Sequence, residues 1–232
     1  MKVSVHQPQY LPWLGYFDKI INSDIFVFLD CVQYKHREFQ NRNRIRTQKG
    51  WMWLTVPVIT HNAREQLVSQ TKINNAFPWQ RRHLNAIKNS YGKTPYFEKY
   101  FPFFENIYNK KWDRLIELNL TIINYILCQL RVKTNIMFES DIKTSSTGTN
   151  RIIEICKKIN ADTYLSGIGG KNYLKQELFT KENISLEYKT FKHPVYDQIN
   201  TSSAEQFQPF MSIIDLIFMY GEKSREILEN KL

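Results

Sequence analysis

The stretch YLSGIGGKNYL, from Tyr164 to Leu174, runs an apolar segment into Ser-Gly-Ile-Gly-Gly-Lys and then into helix-forming residues. Glycines let backbone N–H groups approach an anion, a helix start adds a favourable dipole, and Lys171 adds full positive charge. The pattern is neither a Walker A loop nor GxGxxG, so it points to phosphate without naming a nucleotide. Ser166, Gly167, Gly169, Gly170, Lys171 and Tyr173 are candidate phosphate-binding residues on this reading. A tight strand-to-helix turn with no ligand is the plainer reading of the same residues.

A second cluster is VQYKHREFQNRNRIR and the residues after it. From Lys35 to Lys49 there are six Lys/Arg and one Glu. Arginine offers planar, forked donors that suit phosphate and carboxylate, and Trp51 and Trp53 follow closely, able to stack on a base, a sugar or the guanidinium groups. Lys35, Asn41, Arg42 and Arg44 are the candidate anion-binding residues here, against the plainer alternative of a solvated charged hairpin. The third stretch is HQPQYLPWLGYFDKI, His6–Ile20. A histidine can relay a proton or contact phosphate, so His6 is a candidate catalytic group. Gln7, Tyr10, Trp13 and Tyr16 surround it in sequence; Tyr10 is placed with the catalytic candidates and the other three with the binding ones. HPVYDQ, His193–Gln198, contributes His193 as a further catalytic candidate. Asp30 is a candidate for binding a ribose or orienting a base. His36, His61 and His83 have no ligand spacing, and no metal is expected.

These residues need a framework. Lys2–His6 is β-branched and alternating, which predicts a short strand; Pro8 and Pro12 break regular structure. Leu14, Phe17, Ile20 and Ile21 recur at helical spacing. DIFVFLD, Asp24–Asp30, is an almost unbroken apolar run, as in a parallel strand covered on both faces. A hairpin follows with Lys49-Gly50 as its turn, pairing Arg46 with Trp53, Ile45 with Leu54 and Arg44 with Thr55. Alternation then puts Arg42, Arg44 and Arg46 on one face with Trp51 and Trp53, and Asn43, Ile45, Met52, Leu54 and Val56 on the other.

The middle of the chain, 72–133, reads as a helical subdomain or insertion, with interruptions at Pro102 and near Asn109–Lys111. The last third alternates again: a strand at Asn135–Phe138, a helix over Asn150–Ile159, and a strand at DTYLSG. A helix over Gly170–Lys181, a strand at Ser185–Phe191 and a C-terminal helix over Ser212–Tyr220 follow. Such alternation predicts one α/β domain over 1–232, a Rossmann-like parallel sheet flanked by helices. The first and late strands would then open at their carboxyl ends, where ligands bind in such sheets.

Composition sets the outer limits. The 232 residues carry 32 Lys+Arg against 22 Asp+Glu, a formal charge of +10 that favours anionic partners. Three widely spaced cysteines, Cys31, Cys128 and Cys156, give neither a disulfide framework nor zinc spacing. No apolar run reaches the ~18 residues of a membrane span, and the residues before His6 do not form a signal peptide. A cytoplasmic location is the expectation.

Taken together, HQPQYLPWLGYFDKI, DIFVFLDCVQYKHREFQNRNRI, WMWLTVPV, YLSGIGGKNYL and SIIDLIFMYG resemble the WbqC-like protein family over nearly the whole chain. That resemblance implies a role in bacterial O-antigen or capsule biosynthesis. A fainter resemblance, of PQYLPWLGYFDKI, is to the opening of HIGH-type nucleotidylyltransferases. There a His-x-Gly-His turn binds ATP phosphates; this chain has Trp13 and Tyr16 at the two histidine positions. Family setting and residues together imply an enzyme that acylates or aminoacylates a nucleotide-linked amino sugar, forming an amide. ATP, acyl-CoA or aminoacyl-tRNA would be the donor. An RNA-binding protein that engages tRNA, or a non-catalytic nucleotide-sugar-binding subunit, are the alternatives.

Overall fold

The structure is a computed structural model and describes residues 1–60, 66–199 and 207–231; His61 lies outside the described residues. The strands are β1 (Lys2–His6), β2 (Ile25–Phe28), β3 (Arg42–Thr47), β4 (Gly50–Thr55), β5 (Asn135–Phe138), β6 (Thr163–Gly167) and β7 (Ser185–Lys189). The α-helices are α1 (Leu14–Ile21), α2 (Trp79–Tyr91), α3 (Phe97–Tyr108), α4 (Leu115–Gln129), α5 (Glu139–Ile142), α6 (Gly148–Lys158), α7 (Gln176–Lys181), α8 (Ile214–Tyr220) and α9 (Ser224–Leu228). They fall into two compact units. The first comprises Met1–Pro8, Gly15–Val32 and Val132–Lys192; the second comprises Gln9–Leu14, Gln33–Arg131 and His193–Leu232.

The first unit is an α/β, Rossmann-like layer: a five-stranded sheet in the order β5-β2-β1-β6-β7, every pair parallel, flanked by helices. Counting only its own strands, that order is third, second, first, fourth, fifth, so the winding reverses between β1 and β6. β2 is buried at all four positions, which its unbroken apolar run requires in a sheet covered on both faces. Val3, Val5, Ile25 and Val27 pack with Ile152, Ile153, Ile155 and Cys156 of α6 and with Phe179 of α7.

The second unit joins the β3–β4 hairpin to helices α2, α3, α4, α8 and α9. Its interior is aromatic: Phe218 of α8 stacks on Tyr91 of α2 at 5.0 Å, and Phe103 stacks on Tyr125 at 3.6 Å. Helix α3 runs through Pro102 without the break predicted there. Pro102 faces solvent, while Phe97, Tyr100, Phe101, Phe104, Ile107 and Tyr108 are buried. One missing backbone donor on the exposed side is outweighed by that packed face.

Two further expectations are corrected. The hairpin turns one residue earlier, at Gln48-Lys49, so Arg46 pairs with Trp51, Arg44 with Trp53 and Arg42 with Thr55. Gly50, with φ of 126°, takes the backbone conformation that needs glycine at the first position after the turn. The slip of two residues along the partner strand keeps the Arg and Trp residues on one face. Met52, placed with the core residues, is exposed, and Arg46 is buried instead. After β6, the residues Ile168–Asn172 form a short 3₁₀ turn, and the α-helix begins only at Gln176. Lys171 therefore does not sit at an α-helix start.

Candidate functional site

The first unit holds the better-defined site, at the carboxyl edge of its sheet. β1 stays paired with β2 to its end, His6 opposite Phe28, and β6 stays paired with β7 to its end, Gly167 opposite Lys189. Between β1 and β6 the pairing covers only Lys2–Thr163 and Val3–Tyr164. Ser4 Oγ then donates to the Leu165 carbonyl at 2.9 Å, and Lys19 Nζ donates to the Val5 carbonyl at 2.8 Å. Side chains thus take over backbone acceptors where the ladder stops, at the point where the winding reverses.

His6 lies at this edge. Its Nδ1 is 3.1 Å from the Gln7 carbonyl, which can only accept, so Nδ1 carries the proton and Nε2 presents a lone pair. Burial lowers its pKa to about 3, with a further push from the Lys19 ammonium. Its ring meets Tyr16 edge-on at 5.2 Å, and Tyr16 Oη donates to the same Gln7 carbonyl at 3.1 Å. Lys19 was not among the sequence candidates. Burial brings its pKa down to about 8.

The loop after β6 divides into two kinds of position. Ser166 is buried, and a Cβ on Gly170 would meet Ser166 Oγ at 2.0 Å, so Gly170 serves internal packing. A Cβ on Gly167 or Gly169 would meet nothing within 4 Å, and neither has a positive φ. Nothing within the described chain requires glycine at those two positions. Lys171 Nζ lies 5.4 Å over the ring of Tyr188, and Tyr173 is exposed.

At the neighbouring strand ends, Asp30 follows β2 and Glu139 follows β5. Asp30 Oδ1 accepts the Ser140 N–H at 3.0 Å and lies 3.7 Å from Cys31 Sγ. Glu139 accepts Thr144 Oγ1 at 2.5 Å and pairs with Arg151 Nε at 3.2 Å. Burial, then the nearby Asp30 and Glu139, push the Cys31 thiol up to about 11. Glu139 escaped sequence reading because only the β2–β5 pairing brings it to Asp30.

The second unit places the remaining candidates. Arg42 lies 4.4 Å over Trp53, and Arg44 lies 5.1 Å over Trp51 and 5.8 Å over Trp53. Trp51 is 43% exposed, so this Arg–Trp face is open to a partner. Asn41, by contrast, is buried and donates Nδ2 to the Val56 carbonyl at 2.8 Å, bracing the hairpin. Lys35 is exposed, and its backbone N–H donates to Gln40 Oε1 at 3.3 Å. Trp13 bridges to Ser212 and packs on Phe210 at 5.5 Å.

Two proposed catalytic groups are committed to the framework. Tyr10 is fully buried, its hydroxyl bonded to His83 Nδ1 at 2.7 Å and to Tyr108. His193 Nε2 accepts the Phe210 N–H at 3.1 Å, so its proton is on Nδ1, which donates to the Pro194 carbonyl at 2.8 Å. Neither ring nitrogen of His193 is left in a state to take a substrate proton.

The model of the WbqC-like protein family matches residues 7–227. The chain belongs to the WbqC-like protein family. It is 30% identical over 228 residues to the uncharacterized protein Rv1507c of Mycobacterium tuberculosis (strain ATCC 25618 / H37Rv), covering 98% of this chain and 97% of that relative. No solved structure matches. The WbqC-like match takes in residues of both units, among them Lys19, the loop after β6 and the Arg–Trp hairpin, and it begins at Gln7, the residue after His6. Among the described residues of this WbqC-like chain, no helix is long and apolar enough to cross a membrane.

Proposed function

We propose that this WbqC-like protein is a biosynthetic enzyme of surface-polysaccharide assembly that binds a nucleotide-linked amino sugar and forms an amide on its amine. The observation that supports this reading is the interrupted β1–β6 ladder at the reversal of the winding, with His6, Lys19 and the Gly167–Gly169 segment at that edge. Open α/β sheets bind ligands at that kind of point. Backbone N–H groups around Gly167 and Gly169, with Lys171, hold the phosphates; the absence of side chains there lets an anion come close. His6 accepts a hydrogen bond through Nε2 from the sugar amine as it attacks the acyl carbon. Lys19 supplies positive charge against the developing oxyanion. The acyl group arrives from an activated donor of the acyl-CoA, acyl-adenylate or aminoacyl-tRNA type. As the C–N bond forms, the donor's acyl C–S or C–O bond breaks, CoA, AMP or tRNA departs, and the proton lost by the amine goes to that leaving group or to solvent.

A thermal-shift screen of nucleotides, nucleotide-sugars, ATP and acyl-CoA tests the reading. A ligand at a hundred times its Kd adds about 2.7 kcal/mol to the folded state. Nucleotide-sugars are expected to raise the Tm of the wild type and to do so less in Lys171→Ala and Gly169→Ala. If no anionic ligand moves the Tm, and Lys171→Ala behaves as wild type, the reading is wrong.

The Arg42–Trp53 and Arg44–Trp51 stacks support a second reading, in which the donor is aminoacyl-tRNA and this face stacks on unpaired bases. Full turnover in a mixture treated to remove all tRNA would eliminate it.

A further inference from the structure

Asp30, Cys31 and Glu139 each offer a ligand atom, and the three atoms lie within 4.8 Å of one another. Two observations separate this cluster from ordinary surface acids. Glu139 is only 1% exposed and Asp30 only 6%. Further, Glu139 Oε2 is buried with no hydrogen-bond partner among the described residues, although Oε1 of the same carboxylate has two, Thr144 Oγ1 and Arg151 Nε. A buried carboxylate oxygen left without a partner is costly to the folded state. Folding has supplied partners to one oxygen of this group and left the other bare.

We propose that Asp30, Cys31 and Glu139 form a binding site for a divalent cation of zinc-like character at the carboxyl ends of β2 and β5. Two hard oxygens and one thiolate suit a borderline cation such as Zn²⁺ or Co²⁺, and they do not suit Mg²⁺ or Ca²⁺, which take oxygen alone. The 3.7 Å between Cys31 Sγ and Asp30 Oδ1 is close to an edge of a tetrahedral site with one sulfur and three oxygen or nitrogen ligands. Each proposed carboxylate ligand is already oriented from behind: Asp30 by the Ser140 N–H, Glu139 by Thr144 and Arg151. Metal-bound carboxylates are characteristically held in this way. Among the described residues Arg151 is the one cation paired with the cluster, so two carboxylates and a thiolate leave net negative charge for a dication to balance. Binding releases the Cys31 thiol proton to solvent. Three protein ligands leave a fourth position for water or a substrate atom, the arrangement of a catalytic rather than a structural zinc. The proposal does not depend on the polysaccharide reading or on the identity of any sugar.

The test uses full-length, tag-free protein stripped with chelator and then titrated with Co²⁺ and, separately, Zn²⁺. One equivalent of Co²⁺ should give visible bands of tetrahedral intensity and a near-ultraviolet thiolate-to-cobalt absorption. Zn²⁺ should displace it stoichiometrically, while Mg²⁺ should not. Cys31→Ser should abolish the charge-transfer band and weaken binding at least tenfold, while Cys128→Ser should change neither. Asp30→Asn should weaken binding with the thiolate band shifted or lost. Cys31 is partly exposed and its thiol donates to Asp30 Oδ1, a bond that a serine hydroxyl can also make, so Cys31→Ser is expected to keep the fold, checked by its unchanged Tm without metal. Failure to bind Co²⁺ or Zn²⁺, or a thiolate band that survives Cys31→Ser but not Cys128→Ser, overturns the proposal.

Discussion

A histidine whose Nδ1–H is committed to a neighbouring carbonyl can act only through Nε2. For His6, burial and Lys19 together keep that atom unprotonated down to about pH 3. Its ring resonances, followed by NMR from pH 8 to pH 4.5, are expected to stay in the neutral position; a midpoint near 6.5 would show that the ring is solvated and not buried at that edge. His83 makes the corresponding statement about stability. Burial lowers its pKa to about 4, against 6.5 when exposed. The unfolded chain therefore binds a proton that the folded one refuses. The contribution is complete above pH 6.5 and is lost as the pH falls towards 4. A shift of this size is worth up to about 3 kcal/mol. Urea unfolding at pH 7 and pH 4.5 should show a smaller difference in His83→Gln than in wild type. Asp215, buried in the second unit and raised to about 6, works in the opposite direction: it favours the folded chain at low pH, and that contribution fades as the pH rises through 6. In Asp215→Asn the stability at pH 8, relative to pH 4.5, should therefore rise.

At the level of elements, the loop after β6 separates packing from binding. Gly170→Ala drives a Cβ to 2.0 Å from Ser166 Oγ and should lower stability by on the order of 1–3 kcal/mol. Gly167→Ala and Gly169→Ala place theirs in open space and should leave the ligand-free Tm where it is. If all three melt together, the glycines serve folding alone. The same loop shows where sequence reading succeeds and where it stops. β1 and β5 were legible to the residue, because short β-branched or apolar runs between polar breaks permit little else. The helix expected from Gly170 was not, because nothing local announces that Ser166 and Leu174 fill the space around Gly170 and hold the chain in a 3₁₀ turn. The hairpin's face was legible and its register was not: alternation fixes parity, whereas the turn depended on which side of Lys49 the chain reverses. Lys19 and Glu139 were missed for a related reason. A lysine on an amphipathic helix looks like solvated surface until a strand pair ends beside it.

For the molecule as a whole, the charge of +10 makes electrostatics the first discriminator between partners. A nucleotide-sugar engages a few charges and its affinity should fall gently with salt. A tRNA docked on the Arg–Trp hairpin would release a counterion per contact, with a log–log slope of about −0.7 per phosphate on single-stranded segments. Measured slopes steeper than about −3, reduced by Arg42→Ala and Arg44→Ala, would favour the RNA-facing reading. The described residues also show how the two units are threaded. The chain passes from one to the other after Pro8, Leu14, Val32, Arg131 and Lys192. Neither unit corresponds to one uninterrupted stretch of coding sequence. No single cut of the chain delivers all of the sheet unit without part of the aromatic unit, or the reverse.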